Sequence, residues 1–184
     1  PSANRFGRIS PTTAEHVRSE FGDTVKLVLD GGACKTGVES TIVSLLEPEP
    51  MLLRPGGTPF ESLQELMPNL RFPGSDPTHP MAPGQLPSHY APRTPLVIGD
   101  ASAPGTLRGR RLGLLYVGPA RERSGFERVE VLSHKGDLRE AAAGLFAAMR
   151  RLDEAGLDLI VAELAREVGL GLAINDRLRR ASRR

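Results

Sequence analysis

The sequence predicts an α/β protein built in two modules joined by a proline-rich stretch. Three observations carry this. Short apolar runs closed by Gly and Pro alternate with amphipathic segments that bear cap signals. Between residues 68 and 95 proline recurs every few positions, so neither a helix nor a sheet ladder can run through. Beyond that break, the order strand, helix, strand, helix implies a parallel pair with a right-handed crossover.

The first module spans residues 1–67. "SPTTAEHVRSEFG" is expected to be a helix, with Thr12 and Glu15 as a capping box and Gly22 as its stop. Ala14, Val17 and Phe21 fall on one face. "VKLVLDGG" reads as a short buried strand, "GVESTIVSLL" as a second and "MLLRPGG" as a third. Their close spacing predicts a mostly antiparallel or mixed sheet. "TPFESLQELM" follows as a helix, with Thr58 as cap, Pro59 in its first turn and Glu61 completing the box.

The linker, residues 68–95, carries His89 and Tyr90 among its prolines. A plain spacer is Gly/Ser or repetitive Pro. Side chains that stack and hydrogen-bond suggest instead a segment that lies across a surface and touches a ligand. Residues 96–184 form the second module. "PLVI", "RRLGLLYV" and "FERVEVL" read as strands. "GDLREAAAGLFAAMRRLDEAG" is the clearest helix, capped by Asp137 with Glu140 in the box position and striped by Leu138, Ala142, Leu145, Met149 and Leu152. "LDLIVAEL" is a strand and "GLAINDRLRRAS" a terminal helix. This is a small Rossmann-like three-layer module, without the G-x-G-x-x-G turn of a dinucleotide site.

Composition narrows the function. Hydrophobic content of 39% supports a packed core, and with 4% aromatic residues and no Trp that core rests on Leu, Val, Ile and Ala. A net charge of +2 is too weak a field to argue for nucleic acid by itself. Arginine concentrates in Arg108, Arg110 and Arg111, in "RERSGFER" and in "RLRRASRR". Solvated faces explain such runs, and nucleic-acid contact by the tail is the lesser reading. The single cysteine, Cys34, excludes an internal disulfide and fits a reducing, cytoplasmic setting. It reads as a partly buried small residue in a turn, with a reactive thiol as the lesser reading. Apolar runs are far shorter than a membrane span.

Three polar constellations could carry chemistry. Ser2 and Asn4, with Ser10 and Thr12 of "SPT", offer hydroxyl, amide and N–H donors near a helix start, suited to phosphate or carboxylate oxygens. Glu39, Ser40 and Thr41 put polar groups on both faces of a strand, which lines something, pairs or sits at an edge. Arg54 stands at a strand end beside Gly, placed to reach an anion bidentately. Alternatively, Glu39 is a surface charge and Arg54 its salt-bridge partner. No nucleophile triad, metal-ligand spacing or Walker loop is visible, so no catalytic nucleophile and no metal ligand is assigned. The site is expected to orient charged groups.

"PSANRFGRISPTTAEHV", "VLDGGACKTGVESTIVSL", "LLRPGG" and "APGQLPSHYAPRTPL" together resemble the threonylcarbamoyl-adenylate synthases. "LFAAMRRLDEAGLDLIVAE" with "GLGLAINDRLRRAS" resembles the C-terminal domain of their two-domain form. The resemblance implies a YrdC-like twisted α/β sheet with a concave basic cavity. It implies a nucleotidyltransferase that converts L-threonine, bicarbonate and ATP to threonylcarbamoyl-AMP and pyrophosphate, with Mg²⁺ on the triphosphate. The product would serve threonylcarbamoyladenosine modification of tRNA. By the same resemblance Ser2, Asn4, Ser10, Arg54 and Tyr90 would bind nucleotide, Ser40 would contact threonine, and His89 is a weaker neighbour. Partner enzymes of threonylcarbamoyl transfer and tRNA or double-stranded RNA would be its macromolecular partners.

In that family a "PSAN"-like stretch lies well inside the catalytic domain, after a Lys-x-Arg motif. Lys26 and Lys35 have no Arg two residues on. The resemblance therefore implies the C-terminal part of a longer enzyme, inactive alone, with the first module unstable by itself. A double-stranded RNA binding module and a non-catalytic nucleotide-binding remnant are the alternatives.

Overall fold

A computed structural model describes residues 3–74, 81–84, 86–99, 109–120 and 124–183. The first helix, α1 (Ala14–Phe21), starts one residue later than its expected cap. Thr13, not Thr12, is the N-cap, and its Oγ1 accepts from the His16 N–H. His16 Nδ1 reaches back to accept from the Thr12 N–H, so His16 does the work expected of Glu15.

Only two of the three strands expected in the first module form. β1 (Ile42–Ser44) and β2 (Met51–Arg54) pair antiparallel, with the register shifting between Ile42 and Val43. The expected strand "VKLVLDGG" is irregular and exposed. Val25, Leu27 and Leu29 show the alternation of a strand, yet 38%, 75% and 87% of their surfaces face solvent. No strand among the described residues lies alongside to take their backbone hydrogen bonds, and without that partner the pattern cannot become a strand. The "GVEST" part of the second expected strand also leaves the sheet. The short α2 (Phe60–Gln64) begins after Pro59 with no side-chain cap. Thr58 is occupied elsewhere: its N–H donates to Thr41 Oγ1, whose hydroxyl donates to the Thr58 carbonyl.

The second half forms β3 (Leu96–Ile98), β4 (Leu112–Tyr116), β5 (Arg128–Val131), α3 (Leu138–Asp153), β6 (Leu159–Ala162) and α4 (Gly171–Ala181). The four strands lie in the order β3-β6-β4-β5, all parallel. β4 and β6 occupy the middle and are buried along their whole lengths, which is why they read as unbroken apolar runs. Asp137 caps α3 as expected, accepting from the Arg139 and Glu140 N–H groups. Glu140 does not close the box directly. Its Oε2 accepts from Ser133 Oγ, which in turn accepts from the Asp137 N–H.

One sheet face packs Leu115, Ile160 and Ala162 against Leu145, Met149 and Leu152 of α3 and Ile174 and Leu178 of α4. Ile9, Val38 and Tyr90 join this same core, with the Tyr90 ring 5.5 Å from that of Phe146. The early segments are thus packed on the second half's helices.

The arginine runs are not uniformly solvated. Arg111 pairs with Asp158 at the surface, and Arg108 lies outside the described residues. Arg128 and Arg151 flank Glu130. Arg150 is buried, donating to the Ile9 carbonyl and to Glu20. Arg177 is fully buried.

Candidate functional site

A cavity of about 740 Å³ opens where three of the sequence motifs meet. Ser10, Pro11 and Thr12 form one wall, residues 34–40 another, and Arg54, Pro83 and Phe146 close the rest. The "CKTGVEST" wall is held at both ends. The Cys34 N–H donates to the Thr12 carbonyl at 2.9 Å. At the other end Gly57 N–H donates to the Glu39 carbonyl at 3.0 Å. The Thr41–Thr58 pair closes the same junction. Gly56 packs so closely on residues 39–41 that a side chain there would strike their backbone.

Arg54 faces inward rather than offering a free fork. Its Nε and Nη2 donate to the Ser40 carbonyl, Nη2 also to Ser40 Oγ, and Nη1 to the Pro83 carbonyl at 3.0 Å. It therefore ties the "GVEST" wall to the linker and lines the cavity with a positive charge already well hydrogen-bonded. Glu39 is not its salt-bridge partner. Glu39 Oε1 accepts from Ser10 Oγ at 2.7 Å, and Oε2 accepts from Arg177 Nε at 2.8 Å. Burial pushes the Glu39 carboxyl up, but the Arg177 guanidinium and the Ser10 hydroxyl outweigh it and hold the group below its ordinary value.

The other expected residues are placed unevenly. Ser10 and Ser40 line the cavity with Arg54. Asn4 does not; its Nδ2 donates to the Arg5 and Arg8 carbonyls while its Oδ1 is buried without a partner. Ser2 lies outside the described residues. Tyr90 is 1% exposed and turns inward from the linker onto Phe146, with a left-handed backbone, φ 61°. Burial raises its phenol above the ordinary value. His89 borders a neighbouring 480 Å³ cleft with Phe6, Met81 and Leu86, and burial holds its imidazole below the ordinary value. Cys34 is exposed, not partly buried, because the turn carrying it stands off the core.

Sequence reasoning missed Lys35, Thr36 and, above all, Arg177. Lys35 and Thr36 line the cavity from the turn. Arg177 comes from α4, over a hundred residues away, and its one sequence signal is position: it follows Ala173 by four and Ile174 by three, on the helix's buried stripe. Among the described residues, no group of three or more His, Cys, Asp or Glu is arranged to hold a metal ion. Nor is any described helix long and apolar enough to cross a membrane.

Fold and cavity together define an α/β protein with a cavity lined by cationic, anionic and hydroxyl groups held on fixed backbone. The family described as "Threonylcarbamoyl-AMP synthase, C-terminal domain" matches residues 58–183, and the one described as "Telomere recombination" matches residues 1–56. The chain belongs to the threonylcarbamoyl-AMP synthase family. It is 35% identical to the threonylcarbamoyl-AMP synthase of Pyrococcus abyssi and 36% identical to that of Bacillus subtilis, in each case over 99% of this chain and 56% of the relative. It thus spans about half the length of these curated relatives. The crystal structure of P. abyssi Sua5 complexed with L-threonine is similar at a TM-score of 0.85 and 35% identity, covering 99% of this chain and 56% of that one. A variant of that archaeal protein with a neighbouring His and Tyr changed to Ala is similar at a TM-score of 0.84 and 34% identity, over the same shares.

Proposed function

We propose that this chain carries the threonine-holding part of a threonylcarbamoyl-AMP synthase, which joins L-threonine, bicarbonate and ATP into threonylcarbamoyl-AMP with release of pyrophosphate. The observation that carries this is the 740 Å³ cavity, where Ser10, Glu39, Ser40 and Arg54 converge from separate motifs. Its Lys35 offers a positive charge to the carboxylate end of an amino acid. In this reading Ser40 contacts threonine. Ser2, Asn4, Ser10 and Arg54 belong to the nucleotide side, and Tyr90 and His89 anchor the linker over it. Residues 1–67 are the end of the catalytic domain, 68–95 the linker and 96–184 a Rossmann-like domain.

The chemistry needs no protein nucleophile. The threonine amine adds to the bicarbonate carbon with loss of water, giving a carbamate. A carbamate oxygen then attacks the α-phosphorus of ATP, and the bond to the β-phosphate oxygen breaks to release pyrophosphate. Fixed donors hold the charge that develops. Mg²⁺ would enter on the triphosphate. The activated product is then passed to tRNA in the cytoplasm by a partner enzyme.

Calorimetric titration with L-threonine, with and without ATP, tests the reading. Saturable binding, weakened by Ser40→Ala, is the expected result. These 184 residues alone are expected to bind threonine without releasing pyrophosphate at a useful rate. Absence of threonine binding would overturn the reading, and bicarbonate-dependent pyrophosphate release would overturn the expected inactivity.

A further inference from the structure

We infer that Arg177 of the C-terminal helix is a positioning residue for the cavity, holding the Glu39–Ser40 wall in register with the "RPGG" turn and the linker. Arg177 is 0% exposed and touches each of these segments. Nε donates to Glu39 at 2.8 Å, and Nη1 donates to the Pro55 carbonyl at 2.9 Å and to Asp176 at 2.6 Å. Its guanidinium carbon lies 5.2 Å from the centroid of the Tyr90 ring. Arg180, one turn along, extends the hold: its Nε donates to Asp176, its Nη1 to the Leu86 carbonyl, and its own carbonyl accepts from the His89 N–H. α4 thereby grips the linker and the cavity wall together.

Stability alone does not account for this arrangement. Burying a guanidinium is costly, and an apolar side chain of similar volume commonly serves a core as well or better. The cost is visible here, since Nη2 of Arg177 is buried without a hydrogen-bond partner. What the planar fork supplies is geometry: two acceptors from different segments are fixed in one plane, whereas an ammonium keeps the charge beside Glu39 but not the plane. Arg54 grips Ser40 from one side and Arg177 grips Glu39 from the other, so the two wall residues are held between two guanidinium groups. The C-terminal helix is in this sense part of the cavity.

The ligand half of this inference rests on the L-threonine reading above. The test is a double-mutant cycle on threonine affinity in the full chain, measured well below each variant's melting temperature. Arg177→Met and Glu39→Gln should each weaken binding about tenfold or more, and the double variant should be no worse than about twofold beyond the weaker single. Arg177→Lys should recover part of the loss, and Arg179→Met, at an exposed pair with Glu167, should change nothing. A merely structural role would give additive losses that follow the melting temperature and no recovery by Lys. If Arg177→Met does not fold, the Glu39→Gln/Arg177→Met chain, which buries no lone charge, decides alone: weak binding upholds the inference and wild-type affinity overturns it. If the wild-type chain does not bind threonine, the functional reading fails, and amide hydrogen exchange decides the inference. Faster exchange at residues 37–41 in Arg177→Met, with α3 unchanged, upholds it; unchanged exchange at 37–41 overturns it.

Discussion

Replacing Gly37 with Ala tests whether the cavity wall is seated on α3. Gly37 has φ +75°, where a side chain costs about 1–2 kcal/mol. A Cβ there would also run into the Ala142 carbonyl oxygen and the Ala143 Cα, and would sit 2.7 Å from the Ala143 carbonyl oxygen. These are helix backbone atoms that cannot swing aside, so overpacking adds about 1–3 kcal/mol. Gly32 separates the two effects. Its φ is +85°, but a Cβ there would meet nothing within 4 Å. Gly32→Ala should therefore cost only the backbone strain, about 1–2 kcal/mol. For a chain of this size, Gly37→Ala should lower Tm by about 10 °C and Gly32→Ala by about 4 °C. Circular dichroism melts of the two variants measure this, and threonine titration of Gly37→Ala should show weakened binding as the wall lifts. Equal melts for the two variants would refute the close approach of residue 37 to α3.

Three further outcomes are expected. Asn175 is fully buried, with its carboxamide bonded to both the N–H and the carbonyl of Ala165. Asn175→Ala should cost about 2–4 kcal/mol by stranding that pair, read from the urea unfolding midpoint. His16 and His89 are both lowered from 6.5, chiefly by burial. The unfolded chain thus binds protons first, so their contribution is complete above pH 6.5 and lost as pH falls below it. Glu39 and Glu130, lowered from 4.5, add a second loss as pH falls below that value, and stability measured from pH 8 to 3 should decline in both windows. Cys34, exposed on the cavity wall, should be alkylated in the native chain, and L-threonine should slow the reaction; no slowing would place the ligand elsewhere.

Local physics made much of the fold legible in the sequence. The Asp137 cap, the apolar stripe of α3 and the unbroken apolar runs of β4 and β6 each depend on neighbours within a few residues, and each took its expected form. Ser10, Ser40 and Arg54 were likewise legible as polar residues in turns and strand ends, and they line one cavity. Where a segment's fate depended on distant partners, the sequence misled. Val25–Leu29 alternates like a strand but has no strand beside it among the described residues, so it stays open. Thr58 caps no helix because Thr41 takes its backbone.

The tertiary structure alone decided which charges meet. By itself the sequence determined the α/β class and the motifs that show the family, because periodicity and turn chemistry are local. It could not show that Glu39 pairs with Arg177 rather than Arg54, since nothing near either residue in the chain encodes a contact across 138 positions. That choice is made by packing α4 against the core, which brings a buried guanidinium to Glu39, and Glu39 compensates it together with the adjacent Asp176.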